Sequence, residues 1–148
     1  MQDFSIQESD KQHLMANIFA AMDNVVWNTA PENKIIISSI ENIIQNIAEL
    51  DFARWAQLAQ NEVGQRLTCN DERIQTSGLR SLKSLIQAFE SEIDETRKPL
   101  DGLVNTFFPI LEQILGQDGF MNSSNYVPMV TLMCKIFFMS NQVSKGGP

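Results

Sequence analysis

Apolar residues recur along this chain at spacings of three and four, the period of a helix with one buried face. Leu14, Met15, Ile18, Phe19 and Met22 share a face in a first helix expected from about Glu8 to Asp23. Ile36, Ile40, Ile43, Ile44 and Ile47 form an isoleucine-rich stripe in a second, beginning near Pro31 and ending near Glu49. A third, about Phe52 to Leu67, turns Trp55, Leu58, Ala59, Val63 and Leu67 inward. Asp51-Phe52-Ala53-Arg54-Trp55 leaves almost no linker between the second and third. Helices joined so tightly must fold back as an antiparallel hairpin.

The fourth helix opens after Asn70 and carries Ile74, Leu79, Leu82, Ile86 and Phe89, with Asp71 and Glu72 suited to its N-terminus. Gly78 inside it weakens it by up to ~1 kcal/mol relative to Ala, which implies close approach by a neighbouring helix. The fifth starts near Lys98-Pro99 with Leu103, Phe107, Leu111 and Ile114; Pro109 should kink it, and Gly116 and Gly119 end it. The sixth runs from about Ser124 to Gln142 through Val127, Val130, Met133, Ile136 and Phe137, with Pro128 in its first turn. Its Met129, Met133, Met139, Phe137 and Phe138 exceed what one face can hide. Ser5 with Glu8 and Thr29 with Glu32 have capping-box spacing. Strict alternation is absent, so the expected class is all-α.

Six helices make three hairpins, roughly 5–49, 51–93 and 97–142, in one domain spanning 1–148. About 45 residues per unit falls in the HEAT/armadillo period of roughly 40–47, though a compact bundle of this size would show the same spacing. Stacked hairpins build surface for partners rather than a pocket for chemistry.

Charge narrows the partners. With 11 Lys plus Arg against 18 Asp plus Glu, the net charge is −7, and no basic cluster exists to grip a phosphate backbone. Direct nucleic-acid binding is not expected, and basic protein surfaces suit the chain better. Apolar residues at 43% fit a globular chain. No run approaches the ~20 apolar residues needed to span a bilayer, and the first residues carry no signal-peptide pattern, so an intracellular soluble protein is expected. Cys69 and Cys134 form no CxxC and read as reduced thiols.

Chemistry-bearing patterns are sparse. His13 is the single histidine and has no second His or nearby Cys with which to hold a metal. No nucleophile–base pairing can be drawn, nor any glycine-rich phosphate loop, so neither enzyme activity, cofactor nor nucleotide binding is expected. Trp55 reads as a core aromatic, and Trp27 as packing the preceding hairpin. Arg54 should cap or pair at the turn. Glu90, Glu92, Asp94 and Glu95 read as a solvated loop or as a contact for basic partner residues.

Four stretches carry a family resemblance. Phe4-Ser5-Ile6-Gln7-Glu8 leads into Lys11 and the Ile18-Phe19 helix. Ile43-Ile44-Gln45-Asn46-Ile47-Ala48-Glu49-Leu50-Asp51-Phe52-Ala53-Arg54-Trp55 follows, then Ser77-Gly78-Leu79 with Leu82, Leu85 and Phe89-Glu90. The last is Pro99-Leu100 through Phe107-Phe108-Pro109-Ile110-Leu111. In this order they resemble the importin-β superfamily of nuclear transport receptors, most closely the branch containing importins seven and eight. Ala53 stands where the family has proline.

The resemblance implies an α-α superhelix, an armadillo-like solenoid of about three HEAT-like antiparallel helix pairs. It covers part of a longer receptor, so the chain is either a fragment or a shortened relative that self-associates through its open ends or borrows a cap. It further implies nucleocytoplasmic protein transport, in cytoplasm, nucleus and nuclear pore, through a Ran-type small GTPase in its GTP form, protein cargo and Phe-Gly nucleoporins. On the inner helices (the first, third and fifth), Asp10, Asp51, Glu62, Asp101 and Glu112 are the acids placed to meet basic side chains of such partners. The competing reading is a stand-alone helical scaffold that binds no Ran.

Overall fold

The computed structural model describes residues 8–27, 30–89, 98–117, 119–122 and 126–142, with side chains placed for all of these but 8, 50–54, 141 and 142. Every regular element among them is helical: α1 (Glu8–Val25), α2 (Pro31–Leu67), α3 (Glu72–Gln87), α4 (Lys98–Leu115), a short 3-10 turn (Phe120–Asn122) and α5 (Tyr126–Gln142). The expected all-α class is what the chain adopts.

Local chemistry explains the ends. Pro31 begins α2, where its missing N–H leaves nothing unsatisfied. Ala30 holds the N-cap position, and its methyl side chain supplies no cap hydrogen bond; Thr29 lies outside the described residues, as do Ser5 and the first motif of the resemblance up to Gln7. At α3, Asp71 Oδ1 accepts from the Arg73 N–H at 2.9 Å. Past α4, Gly119 takes a positive φ of 79°, which a side chain would resist.

Helical backbone runs unbroken from Pro31 to Leu67, so no loop separates the expected second and third helices. That run cannot be straight. At about 1.5 Å rise per residue, Glu41 and Arg66 of a straight helix would stand about 37 Å apart. Both are tied to α3 instead. A Cβ at Gly78 would lie 2.9 Å from Arg66 Cβ, and Lys83, only about 7.5 Å further along α3, meets Glu41 at 2.9 Å. Even with both side chains extended, that path is shorter than about 30 Å.

The reversal lies between Glu41 and Trp55, because residues 55–66 run parallel to α1. Lys11 Nζ sits 6.0 Å from the Trp55 ring, and near the other end Arg66 sits 5.3 Å over the Phe19 ring and bonds Asp23. α2 is thus two arms in opposite directions, and the interval includes Asp51.

Packing follows from that reversal. The second arm of α2 lies beside α1 and, through Gly64 against Phe107, beside α4. The first arm meets α3 at Glu41, and α3 packs against α1, α2 and α5. α3 is therefore the central helix, and its buried face holds Ser77, Gly78, Ser81 and Ser84 along with Leu79, Leu82, Leu85 and Ile86. Small residues at spacings of three and four let neighbouring backbones approach, as Gly78 does against Arg66 and Leu67.

Most of the expected core is buried: Met15, Phe19, Met22, Ile40, Ile44, Trp55, Val63, Leu67, Leu103, Phe107, Leu111, Ile114, Met133 and Ile136. Four expected inward residues are not. Leu14, Ile36 and Ile43 are more than two-fifths exposed, and Val127 more than that. The first arm of α2 buries Ile37, Ile40, Ile44 and Ala48, a single stripe at spacings of three and four. Ile36 and Ile43 fall one position before that stripe, about 100° around the helix, and face outward.

Candidate functional site

Among the described residues, two surface depressions between helices stand out. The first, a groove of about 400 Å³, runs between α1 and the second arm of α2. Its walls are mixed: Gln12, His13, Asn61, Glu62 and Gln65 are polar, and Met15, Ala16 and Leu58 are apolar. Their side-by-side arrangement reflects the parallel register of the two helices.

Beside it, sharing Glu62, sits an ion cluster. Arg66 donates through Nε and Nη2 to the two carboxylate oxygens of Asp23, at 2.9 and 2.8 Å. Its Nη1 donates to Glu62 Oε2 at 2.6 Å and to the Glu62 carbonyl at 3.1 Å. Burial disfavours the guanidinium charge, but the bonds to Asp23 and Glu62 outweigh it and raise the Arg66 pKa. Geometry of this kind, bidentate and stacked on Phe19, is available to Arg and not to Lys.

The second depression, an open groove of about 520 Å³, lies between α3 and α5. Val130, Phe138 and Met139 supply apolar surface, Lys83 and Lys135 supply charge, and exposed Cys134 lies between. Phe137, on the adjoining side of α5, turns away to stack edge-on with Phe108 of α4 at 4.7 Å. Phe138 is left 64% exposed. Sequence periodicity signals the excess of apolar residues on this helix but not which of them stays outside.

Of the five acids expected to meet a partner, Asp10, Asp101 and Glu112 do not converge. Asp10 is exposed near the start of α1, and Asp101 and Glu112 are exposed on α4. α1 packs on α2 and α3, whereas α4 packs on α2 and α5, so these acids form no single cluster. Asp51 belongs to α2, but its side chain lies outside the described residues. Glu62 is partly buried, with one carboxylate oxygen held by Arg66. The reason is its position four residues before an arginine that also reaches Asp23 on α1.

Arg66 is the residue that sequence reasoning missed. Its partner Asp23 is far away in the chain, and no periodic pattern announces such a pair. Trp27 is half-buried under Arg73 of α3, 5.9 Å away, in contact beyond its own hairpin. The acid run 90–95 and Arg54 lie outside the described side chains. Cys69 and Cys134 are free thiols. Among the described residues no group of three or more His, Cys, Asp or Glu could hold a metal, and no helix is long and apolar enough to cross a membrane.

No known family pattern, curated protein or solved structure matches this chain.

Proposed function

We propose that this chain is a protein-binding segment of a HEAT-repeat solenoid, part of a nuclear transport receptor of the importin-β kind. In this reading α1, the second arm of α2, and α4 form the inner row, while the first arm of α2, α3 and α5 form the outer row. The observation that carries it is the reversal inside α2. It lays two arms in opposite directions with no loop, so that α1 and the second arm run parallel and side by side. Like helices in successive hairpins of a stacked array run parallel in this way, each hairpin hiding its apolar flank on the next. The order of motifs described above supplies the transport-receptor part of the reading.

Such a segment binds Ran in its GTP form, protein cargo and Phe-Gly nucleoporins, and works in cytoplasm, nucleus and the pore between them. Asp10, Asp101 and Glu112 are its exposed inner acids for basic partner side chains. A Ran-independent scaffold is the second reading, favoured by one observation: Glu62, one of the acids assigned to Ran, is already satisfied by Arg66.

Retention on immobilised Ran-GTP, with the GDP form as control, separates the two. The receptor reading predicts retention by the GTP form alone, weakened about tenfold by Asp10→Lys with Glu112→Lys. Equal retention by both forms, or by neither, contradicts the Ran part and leaves the scaffold.

A further inference from the structure

The face shared by α3 and α5 has the opposite charge from the chain as a whole. The net charge is −7, yet no Asp or Glu occurs from Arg73 to Gln87 or from Tyr126 to Gln142. The cations lining its groove are Lys83 and Lys135, with Arg80 three residues before Lys83 on α3. The carboxylate of Glu41, reaching over from α2, lies 2.9 Å from Lys83 and 3.8 Å from Arg80, so one acid serves two bases. Lys135 is exposed at the groove. The local balance is positive beside an apolar trench in which Phe138 is 64% exposed.

We propose that the α3–α5 groove docks an acidic amphipathic helix of a partner protein. Apolar side chains of the incoming helix enter between Val130 and Phe138, and its flanking carboxylates meet Lys135 on one side and Lys83 on the other. A groove between two helices with alternating apolar and cationic walls suits helix-in-groove recognition, read at i, i+3, i+4 and i+7. A volume of about 520 Å³ accepts a few large side chains but not a folded surface. Charge selects the partner: an acidic helix is drawn to this face and repelled by most of the remaining surface. The proposal rests on the chain being a protein-binding scaffold and is independent of Ran.

Fluorescence anisotropy on the full chain tests it. The probe is a labelled peptide of about four helical turns, with Leu at i, i+3, i+4 and i+7 and Glu on the flanks. One control carries Lys for every Glu, and another is an uncharged Phe-Gly peptide. The Glu peptide should bind at least ~10-fold more tightly than either control, less so at high salt. Lys135→Glu and Phe138→Ala, both at exposed positions, should each weaken it about 5- to 10-fold. Equal binding of the peptides, no binding, or indifference to both substitutions overturns the proposal.

Two further results also overturn it by assigning the groove to something else. One is a dimer in sedimentation that Phe138→Ala dissolves, which makes a second copy the occupant. The other is peptide affinity raised about 10-fold or more by neutralising Glu90, Glu92, Asp94 and Glu95, which makes the chain's own acid run the occupant. Loss of peptide binding with Ran-GTP retained sinks this proposal alone. The converse sinks only the Ran reading.

Discussion

Gly78 and Arg66 meet where α2 and α3 press together, and each gives a distinct energetic expectation. A methyl at position 78 would lie 2.9 Å from Arg66 Cβ and 3.2 Å from a Leu67 methyl. Ala gains up to ~1 kcal/mol in helix propensity over Gly. Overpacking against a Cβ, which moves only with its backbone, costs about 1–3 kcal/mol. Gly78→Ala should therefore lower stability by about 0–2 kcal/mol in urea unfolding, and a gain in stability would refute the close approach. Here the sequence was legible: a glycine amid good helix formers needs a reason, and a crowded neighbour is one.

Arg66 was not legible, since its bond to Asp23 joins distant parts of the chain. Asp23→Ala leaves a part-buried guanidinium with Glu62 as its single carboxylate. The expected loss is ~2 kcal/mol, below the 3–5 kcal/mol of fully buried pairs because Asp23 keeps some solvent contact. Arg66→Met added to Asp23→Ala should cost less than the sum of the two single changes. The Arg66 pKa is raised, so its contribution is complete below the unfolded value and fades only as pH climbs through the folded one. That window is strongly alkaline, and Arg66 should add no slope to stability across neutral pH.

At the scale of elements, α3 departs most from a simple amphipathic helix. It is buried on more than one side because α1, α2 and α5 all pack on it. Its serines, rather than more leucines, are what make that possible, and their three-to-four spacing with Gly78 is visible in the sequence once α3 is known to be central. Ser84 donates to the Arg80 carbonyl at 3.1 Å, but the Oγ atoms of Ser77 and Ser81 have no hydrogen-bond partner.

A buried hydroxyl without a partner is destabilising, and Ala removes it without adding volume. Ser77→Ala and Ser81→Ala should be neutral or stabilising by up to ~1 kcal/mol in thermal or urea unfolding. A loss above ~1 kcal/mol for either would show a bonded hydroxyl. Across the α2–α3 contact, a double-mutant cycle on Glu41→Gln and Lys83→Met should give a coupling of about 0.5–1 kcal/mol, typical of a part-exposed pair. Zero coupling would detach the first arm of α2 from α3 electrostatically.

The first arm of α2 shows where periodicity stops informing. Five isoleucines suggest one broad stripe, but a helix face of limited width takes Ile40 and Ile44 and leaves Ile36 and Ile43 outside. On α5 the same surplus leaves Val127 and Phe138 exposed, and there it coincides with a cationic rim.

For the whole molecule, everything hangs on the reversal inside α2. It sets α1 beside the second arm, creates the groove between them, and frees α3 to occupy the middle between α2 and α5. Alternation of apolar stripes on either side of Asp51 pointed to a change of direction there. What the residues could not reveal was that helical backbone would continue through it without a loop, although no proline or glycine falls between Pro31 and Gly64 to mark an end.

Distance between spin labels at Glu32 and Gln65, exposed positions on the two arms, addresses this claim most directly. Cys69 and Cys134 are first replaced by Ser, since both thiols are free to react. The reversed geometry predicts a separation below about 30 Å, whereas a straight helix at about 1.5 Å per residue requires about 50 Å. A single distribution near the longer value would contradict the fold described here and the function built on it.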